Sequence, residues 1–107
     1  MAKKPILQRA KALEDIDESL GYYLQNASPR IAHAFIDALE KAYAHIGKHP
    51  LSGSLRYAYE LNMPDLRTWP LKRFPHLIFY IETAEHIEIW RVLHQQRDIP
   101  SWMHSTT

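Results

Sequence analysis

The 107-residue chain contains no cysteine. That absence excludes disulfide frameworks, thiolate catalysis, cysteine-based zinc sites and iron–sulfur clusters, and it agrees with a reducing compartment. No apolar run approaches the roughly 18 to 20 residues that a membrane-spanning helix needs. The N-terminal Met1-Ala2-Lys3-Lys4-Pro5 leads into no hydrophobic signal stretch. We therefore expect a cytoplasmic protein without a membrane partner.

A surplus of basic residues is also missing. Thirteen Lys and Arg stand against twelve Asp and Glu, which gives a net charge of +1. A protein that relies on phosphate contacts usually carries a basic surplus, because each neutralised phosphate releases counterions. The composition therefore argues against nucleic acid as the main partner, although a few arginines can still form a local basic patch.

Apolar residues, by contrast, are plentiful. Hydrophobic side chains make up 46% of the sequence, including three Trp, six Tyr and three Phe. This is enough to build one compact core without disulfides or metals, and the length is too short for two domains. We expect residues 1–107 to form a single domain.

The first half of the chain has helical periodicity. Apolar residues recur every three or four positions over 10–25, and a second such stripe runs from Pro29 to about Ile46. Ser28 is placed as N-cap of the second helix, and Pro50 follows its end. Because only a short loop joins the two helices, they should form an antiparallel hairpin.

The second half favours strands. The opening Pro5–Gln8 reads as an edge strand, and the stretch Leu51–Pro64 reads largely as a loop. Three further segments are of strand length: Leu66–Leu71, Leu77–Glu82 and Ile87–Leu93. The last two are rich in β-branched and aromatic residues. The residues between the last two, 83–86, are short and polar enough to close a hairpin.

The order strand, helix, helix, strand, strand, strand predicts an α+β domain. Its sheet should be twisted and mainly antiparallel, with the helical hairpin covering one face. We expect the other face of the sheet to be the functional surface.

Several local motifs then follow in a specific order. The C-terminal half has Arg67-Thr68-Trp69-Pro70, a Phe74-Pro75 turn, an apolar strand ending at Tyr80, and Arg91-Val92-Leu93-His94 with Arg97-Asp98 after it. The N-terminal half adds Ala10, Asp15-Ile16, Tyr22-Tyr23 and Pro50-x-x-Gly53. Over residues 6–100 this pattern resembles the RelE/ParE superfamily of bacterial toxins, most closely its ParE-like branch.

The resemblance implies a toxin of a type II toxin–antitoxin pair, neutralised by a cognate antitoxin and needing no cofactor. ParE-like members are associated with inhibition of DNA gyrase by protein–protein contact, which is the function we expect. RelE-like members cut mRNA on the ribosome, and this is the alternative. A third possibility is a non-toxic member that acts as an interaction module.

The nuclease alternative would require a cluster of basic residues. Attack by a 2′-hydroxyl needs a proton acceptor, a proton donor and positive charge near the phosphate. The candidates are Arg73, Arg91, His94 and Arg97. On a regular strand Arg91 shares a face with Leu93, whereas Trp90, Val92 and His94 share the other, so Arg91 and His94 should not converge. We therefore expect no catalytic residues.

Two sets of residues are candidates for protein contacts. The target-binding candidates are Arg67, Trp69, Lys72, Arg73, Arg91, His94 and Arg97. Arg91 has an alternative role as the ion-pair partner of Glu82 on the neighbouring strand, and His94 as a structural imidazole. The antitoxin-binding candidates are Tyr22, Tyr23, Tyr43 and Trp90, although core packing is the usual role of such side chains.

One pair of residues has the spacing of a metal site. His45 and His49 lie four positions apart, which places two ligands on one side of a helix. The helix signals end at this point, since Gly47 and Pro50 interrupt the pattern. We therefore expect no metal site.

Overall fold

A computed structural model describes residues 3–96 and Ile99 of the chain. The fold is α+β, as the sequence predicts. Within the described residues no helix has the length and apolar character needed to cross a membrane. The helices are α1 (Ala10–Asn26), α2 (Pro29–Lys48) and the short α3 (Arg56–Glu60), and the strands are β1 (Ile6–Gln8), β2 (Leu66–Pro70), β3 (His76–Glu82) and β4 (Ile87–His94).

The helical hairpin forms where the sequence predicts it. The Ser28 hydroxyl accepts a hydrogen bond from the Ile31 backbone N–H at 3.2 Å, and Pro29 occupies the first turn of α2. The helix continues through Gly47 to Lys48. A Cβ at Gly47 would lie 3.3 Å from the backbone oxygen of Lys4, so glycine here permits close approach of the chain that enters β1.

The four strands form one mixed sheet in the order β1-β4-β3-β2. The pairs β2–β3 and β3–β4 are antiparallel, while β1 runs parallel to β4. The sheet is thus mainly antiparallel, as predicted. The strands β1 and β4 lie side by side although the hairpin and two further strands separate them in sequence.

Both faces of the sheet are covered by apolar packing. The larger cluster lies between the sheet and the hairpin, and Phe35, Ile46 and Ile78 within it are fully buried. A second cluster on the opposite face joins Tyr57 of α3 and Ile99 to residues of β2, β3 and β4. The face that the sequence predicts to be the functional surface is therefore covered by apolar residues, among them Tyr57 and Ile99.

The stretch between α2 and β2 was also predicted incorrectly. In place of a continuous loop it contains a 3₁₀ turn at Pro50–Ser52 and the helix α3. The Tyr57 ring packs against Phe79, with ring centroids 5.4 Å apart. A five-residue helix is too short to show periodicity or to be stable alone, so tertiary packing rather than local propensity forms it.

A β-bulge interrupts the alternation of β4. Phe79 pairs with Arg91 and Tyr80 pairs with Ile89, which leaves Trp90 as the extra residue. Trp90 consequently packs with Leu93 in the second cluster. The predicted grouping of side chains along this strand was therefore wrong, because a bulge turns the residues after it relative to those before it.

Candidate functional site

The bulge directs Arg91 into a buried ion pair with α1. Its Nε and Nη2 donate to the two Asp15 carboxylate oxygens, both at 2.8 Å, and the Val92 N–H donates to the same carboxylate at 3.0 Å. Arg91 is 3% exposed and Asp15 is 8% exposed. The hydrogen bonds to Asp15 raise the pKa of Arg91 above its usual value.

This geometry corrects two expectations for Arg91. Its partner is Asp15 rather than Glu82, which instead pairs with Lys4 at 2.7 Å. A guanidinium held bidentate in the interior does not contact a target from that position. We therefore no longer count Arg91 among the candidate target-binding residues or the candidate nuclease residues.

The remaining nuclease candidates occupy the ends of strands. Arg73 is exposed in the turn between β2 and β3, where its backbone is left-handed with a φ of 72°. His94 is half-buried at the end of β4, and Arg97 lies outside the described residues. Of the nuclease candidates that lie within the described residues, Arg73 is the one arginine at the surface.

Arg67 has a structural role that the sequence did not indicate. Its Nη1 donates to the backbone oxygens of Leu51 at 3.1 Å and Gly53 at 2.8 Å. The Tyr80 hydroxyl accepts from the Gly53 N–H at 3.0 Å and donates to the Pro50 oxygen at 2.8 Å. Burial raises the pKa of Tyr80. These contacts fix the backbone of residues 50–53.

The same segment is also attached to the edge of the sheet. Ser54 and Thr68 form a backbone bridge with two hydrogen bonds of 2.9 Å. Large side chains project outward from this segment and from the residues that follow it: Leu51 is 69% exposed, Leu55 46% and Tyr59 96%. Apolar residues on a backbone that is already ordered lower the entropic cost of forming an interface. Sequence reasoning missed them because it treated the segment as a loop.

Trp69 lies beside this segment on β2. Its ring stacks on His45, with centroids 4.2 Å apart and planes 20° apart. The Nε2 of His45 lies 3.0 Å from the Ser52 hydroxyl, so this imidazole is engaged in packing and hydrogen bonding. Within residues 3–96 and Ile99 no three potential ligand side chains gather as a metal site would require.

Four of the predicted target-binding residues share one edge of the molecule. Arg67 and Trp69 are on β2, and Lys72 and Arg73 are exposed in the turn that follows. We call these four residues the β2 edge. His94 does not belong to it, because its side chain lines a cleft next to α1.

That cleft lies between α1 and the adjoining ends of β3 and β4. Its volume is about 500 Å³, and we call it the aromatic cleft. His76 and His94 are cross-strand partners with ring centroids 5.5 Å apart, and the Ser19 hydroxyl lies 3.2 Å from Nε2 of His76. Tyr22 and Tyr23 also line it. Two predicted antitoxin-binding residues are thus brought together.

The two tyrosines differ in availability. Tyr22 is 61% exposed, whereas Tyr23 packs on Phe35 and Phe74 at centroid distances of 5.6 and 5.4 Å. Burial raises the pKa of Tyr23. Tyr22 is the side chain that can change partners without disturbing the core.

The other two antitoxin-binding candidates lie elsewhere. The Tyr43 hydroxyl donates to Gln8 at 2.9 Å, and burial raises the pKa of Tyr43. Trp90 is half-buried in the second cluster, with the Arg9 guanidinium 3.9 Å from its ring centroid. The four predicted residues therefore occupy three separate places.

Comparison with known proteins agrees with this fold. The chain superposes with a TM-score of 0.71 on a solved structure described as the chromosomal ParDE TA system from P. aeruginosa, a match that covers 86% of this chain and 96% of that chain. The two share 20% sequence identity, so this likeness concerns the fold. No curated protein matches the sequence.

The sequence itself matches a family model. The family is the ParE toxin of type II toxin–antitoxin systems, parDE, and the match extends over residues 6–99. It spans nearly all of the chain, which therefore belongs to the ParE toxin family.

Proposed function

We propose that this protein is a toxin that inhibits DNA gyrase by protein–protein contact and is neutralised by a cognate antitoxin. Family membership supports the toxin–antitoxin assignment. The observation that carries the choice of mechanism is the buried Arg91–Asp15 pair.

The ion pair removes a cation that RNA cleavage would use. Stabilising a developing phosphorane requires positive charge placed at the scissile phosphate. Arg91 has its Nε and Nη2 on Asp15 and is 3% exposed. Releasing it would leave a buried carboxylate without its partner, which is costly. The arrangement favours a structural role for this arginine.

The exposed surface is better suited to binding a protein than to cleaving RNA. The β2 edge has the exposed cations Lys72 and Arg73 beside the half-buried Arg67 and Trp69. Tryptophan and arginine are enriched among the residues that dominate protein interfaces. Next to it, Leu51 of the anchored segment and Leu55 just after it are exposed. We assign gyrase contact to this side of the molecule.

The aromatic cleft is the candidate for antitoxin contact. It combines a concave shape with the exposed ring of Tyr22 and the half-buried ring of Tyr23. A side chain from a partner segment that enters such a cleft buries apolar surface without any rearrangement of the core. This assignment places target and antitoxin on different parts of the surface.

The test compares two activities of the purified protein. One assay measures inhibition of DNA supercoiling by gyrase, and the other measures mRNA cuts by primer extension in a translating extract. We expect inhibited supercoiling and intact mRNA. Codon-phased cuts with normal supercoiling would reverse the proposal in favour of the RelE-like alternative. Absence of growth arrest on induction without antitoxin would favour the non-toxic interaction module.

A charge-reversal pair locates the contact. Lys72→Glu with Arg73→Glu alters the β2 edge at exposed positions, and Lys11→Glu with Arg30→Glu makes the same change in net charge elsewhere on the surface. We expect the first variant to lose most of the gyrase inhibition and the second to retain it. Equal loss in both variants would indicate a non-specific charge effect.

A further inference from the structure

The positive charges of the chain are unevenly distributed. Residues 41–59 and 66–81 contain no acidic side chain, yet together they carry six of the 13 Lys and Arg. These two stretches are neighbours in the fold, because α2 contacts β2 and the Ser54–Thr68 bridge joins the connecting segment to the same strand. Four of the 12 acidic residues, in contrast, lie on α1. We call these two stretches the basic side, although acidic residues border each of them in sequence, namely Glu40, Glu60, Asp65 and Glu82.

A groove crosses this basic side between α2 and β2. Its volume is about 350 Å³. Ala38 and Ala42 of α2 and Leu71 at the end of β2 form an apolar lining, Trp69 closes one part, and Lys41 and Lys72 lie at the rim. The alanines are small, so the groove has room along the helix surface.

The two rim lysines carry exposed charge. Both side chains are at the surface, and neither forms an ion pair with another residue of the described part of the chain. An occupant that combines apolar groups with negative charge complements such a groove, because the charge pairs with the lysines while the apolar groups cover the alanines and Leu71.

We propose that this groove binds an acidic segment of the target protein. An apolar side chain of that segment lies against Ala38, Ala42 and Leu71, and carboxylates on either side of it pair with Lys41 and Lys72. The inference rests on the proposed function, since it names the chemistry by which the target is recognised. It adds Lys41 of α2 to the contact surface.

The geometry favours a peptide over a nucleic acid. Single-stranded nucleic acids bind basic grooves by stacking bases on open aromatic faces. One face of the Trp69 ring, which also lines the groove, is already stacked on His45 at 4.2 Å, and Trp69 packs against the larger core cluster. The lining that remains is aliphatic, which suits leucine-like side chains.

The test uses a defined probe and the full chain. A fluorescein-labelled short peptide of leucine and glutamate is titrated with the protein, and binding is followed by fluorescence anisotropy. A matched peptide with glutamine in place of glutamate and a labelled oligothymidylate serve as rival ligands. The variants are Lys41→Glu with Lys72→Glu, and the control Lys11→Glu with Arg30→Glu. Circular dichroism checks that each variant is folded.

We expect the acidic peptide to bind the wild type and the control alike, and the groove variant at least about tenfold more weakly. We also expect weaker binding of the glutamine peptide. Equal affinity of the groove variant and the wild type would overturn the proposal. So would equal affinity for the two peptides, or displacement of the acidic peptide by oligothymidylate at lower concentration.

A parallel experiment separates this inference from the proposed function. Lys41→Glu alone is compared with the wild type in the gyrase supercoiling assay. Reduced inhibition supports the groove as part of the target contact, whereas unchanged inhibition refutes that role. If the wild type itself does not inhibit gyrase but the groove binds the acidic peptide selectively, gyrase is the wrong target and the groove chemistry stands.

Discussion

Replacing Asp15 with alanine is expected to be among the most destabilising single substitutions in this protein. The change removes the acceptor of three hydrogen bonds, from Arg91 Nε, Arg91 Nη2 and Val92 N, and takes away the carboxylate that a 3% exposed guanidinium binds at two points. Breaking a buried ion pair in this way typically costs about 3–5 kcal/mol. Since domains of this kind are stable by about 5–15 kcal/mol, the variant should lose a large part of its folding free energy.

Urea unfolding of the wild type and variants measures the effect directly. A double variant, Asp15→Leu with Arg91→Met, removes both charges and leaves Val92 N–H as the main unsatisfied group, at a cost of about 1–3 kcal/mol. The double variant should therefore be more stable than Asp15→Ala. A decrease of less than about 1 kcal/mol in the free energy of unfolding of Asp15→Ala would contradict the reasoning, because removing the carboxylate bound to a buried guanidinium should cost more than that.

Three further substitutions test the anchored segment and the turn. Gly53→Ala should cost about 1–3 kcal/mol in urea unfolding, because the new Cβ would overlap the Tyr80 hydroxyl and lie 2.9 Å from Cβ of Arg67. Tyr80→Phe should cost about 1–3 kcal/mol by leaving the Gly53 N–H without its acceptor. Burial raises the pKa of Tyr80 above 10.0, so on raising the pH the unfolded chain loses the hydroxyl proton before the folded protein does. The free energy of unfolding should therefore fall as the pH rises past 10.0, and Tyr80→Phe should lessen that fall. Arg73→Gly should leave stability unchanged or raise it by up to about 1 kcal/mol, since a φ of 72° is unfavourable for arginine.

The Gly53→Ala prediction has a matched control in α1. Gly21 has no atom within 4 Å of the position of a Cβ and lies in α1, so Gly21→Ala should stabilise the protein by about 0.5–1 kcal/mol. Equal effects at Gly21 and Gly53 would show that steric overlap is not the cause. A pH profile unaltered by Tyr80→Phe would assign the alkaline destabilisation to Tyr23 or Tyr43, whose pKa values burial also raises.

Much of the candidate target surface could be predicted from the sequence. The β2 edge was predicted because a basic and aromatic cluster lies in a turn and the strand before it, where exposure is usual. Lys41, which lies next to the β2 edge in the fold, was not predicted to belong to this surface, since nothing in the sequence indicates that α2 lies beside β2. The partner of Arg91 and the structural role of Arg67 were missed for the same reason, because each depends on residues distant in the chain.

The helical hairpin, the three later strands and the family resemblance could all be predicted without a structure. The helices and strands follow from local rules, namely hydrophobic periodicity, a serine cap and β-forming composition, and their boundaries fall within about two residues of the structure. The family resemblance rests instead on the order of several motifs along the chain. Nothing in the local sequence distinguished Asp15 from the other acidic residues of α1, although in the structure it lies buried with Ala12 and Ile16.

Tertiary structure alone decided what that residue does. Asp15 and Arg91 are separated by 76 positions, and they meet because the bulge at Trp90 turns Arg91 toward α1. The helix α3 likewise depends on tertiary structure, because Tyr57 packs against residues of β2, β3 and β4 on the face of the sheet opposite the hairpin. Bulges and single-turn helices depend on distant contacts rather than on the residues beside them, so the local sequence carries little trace of them.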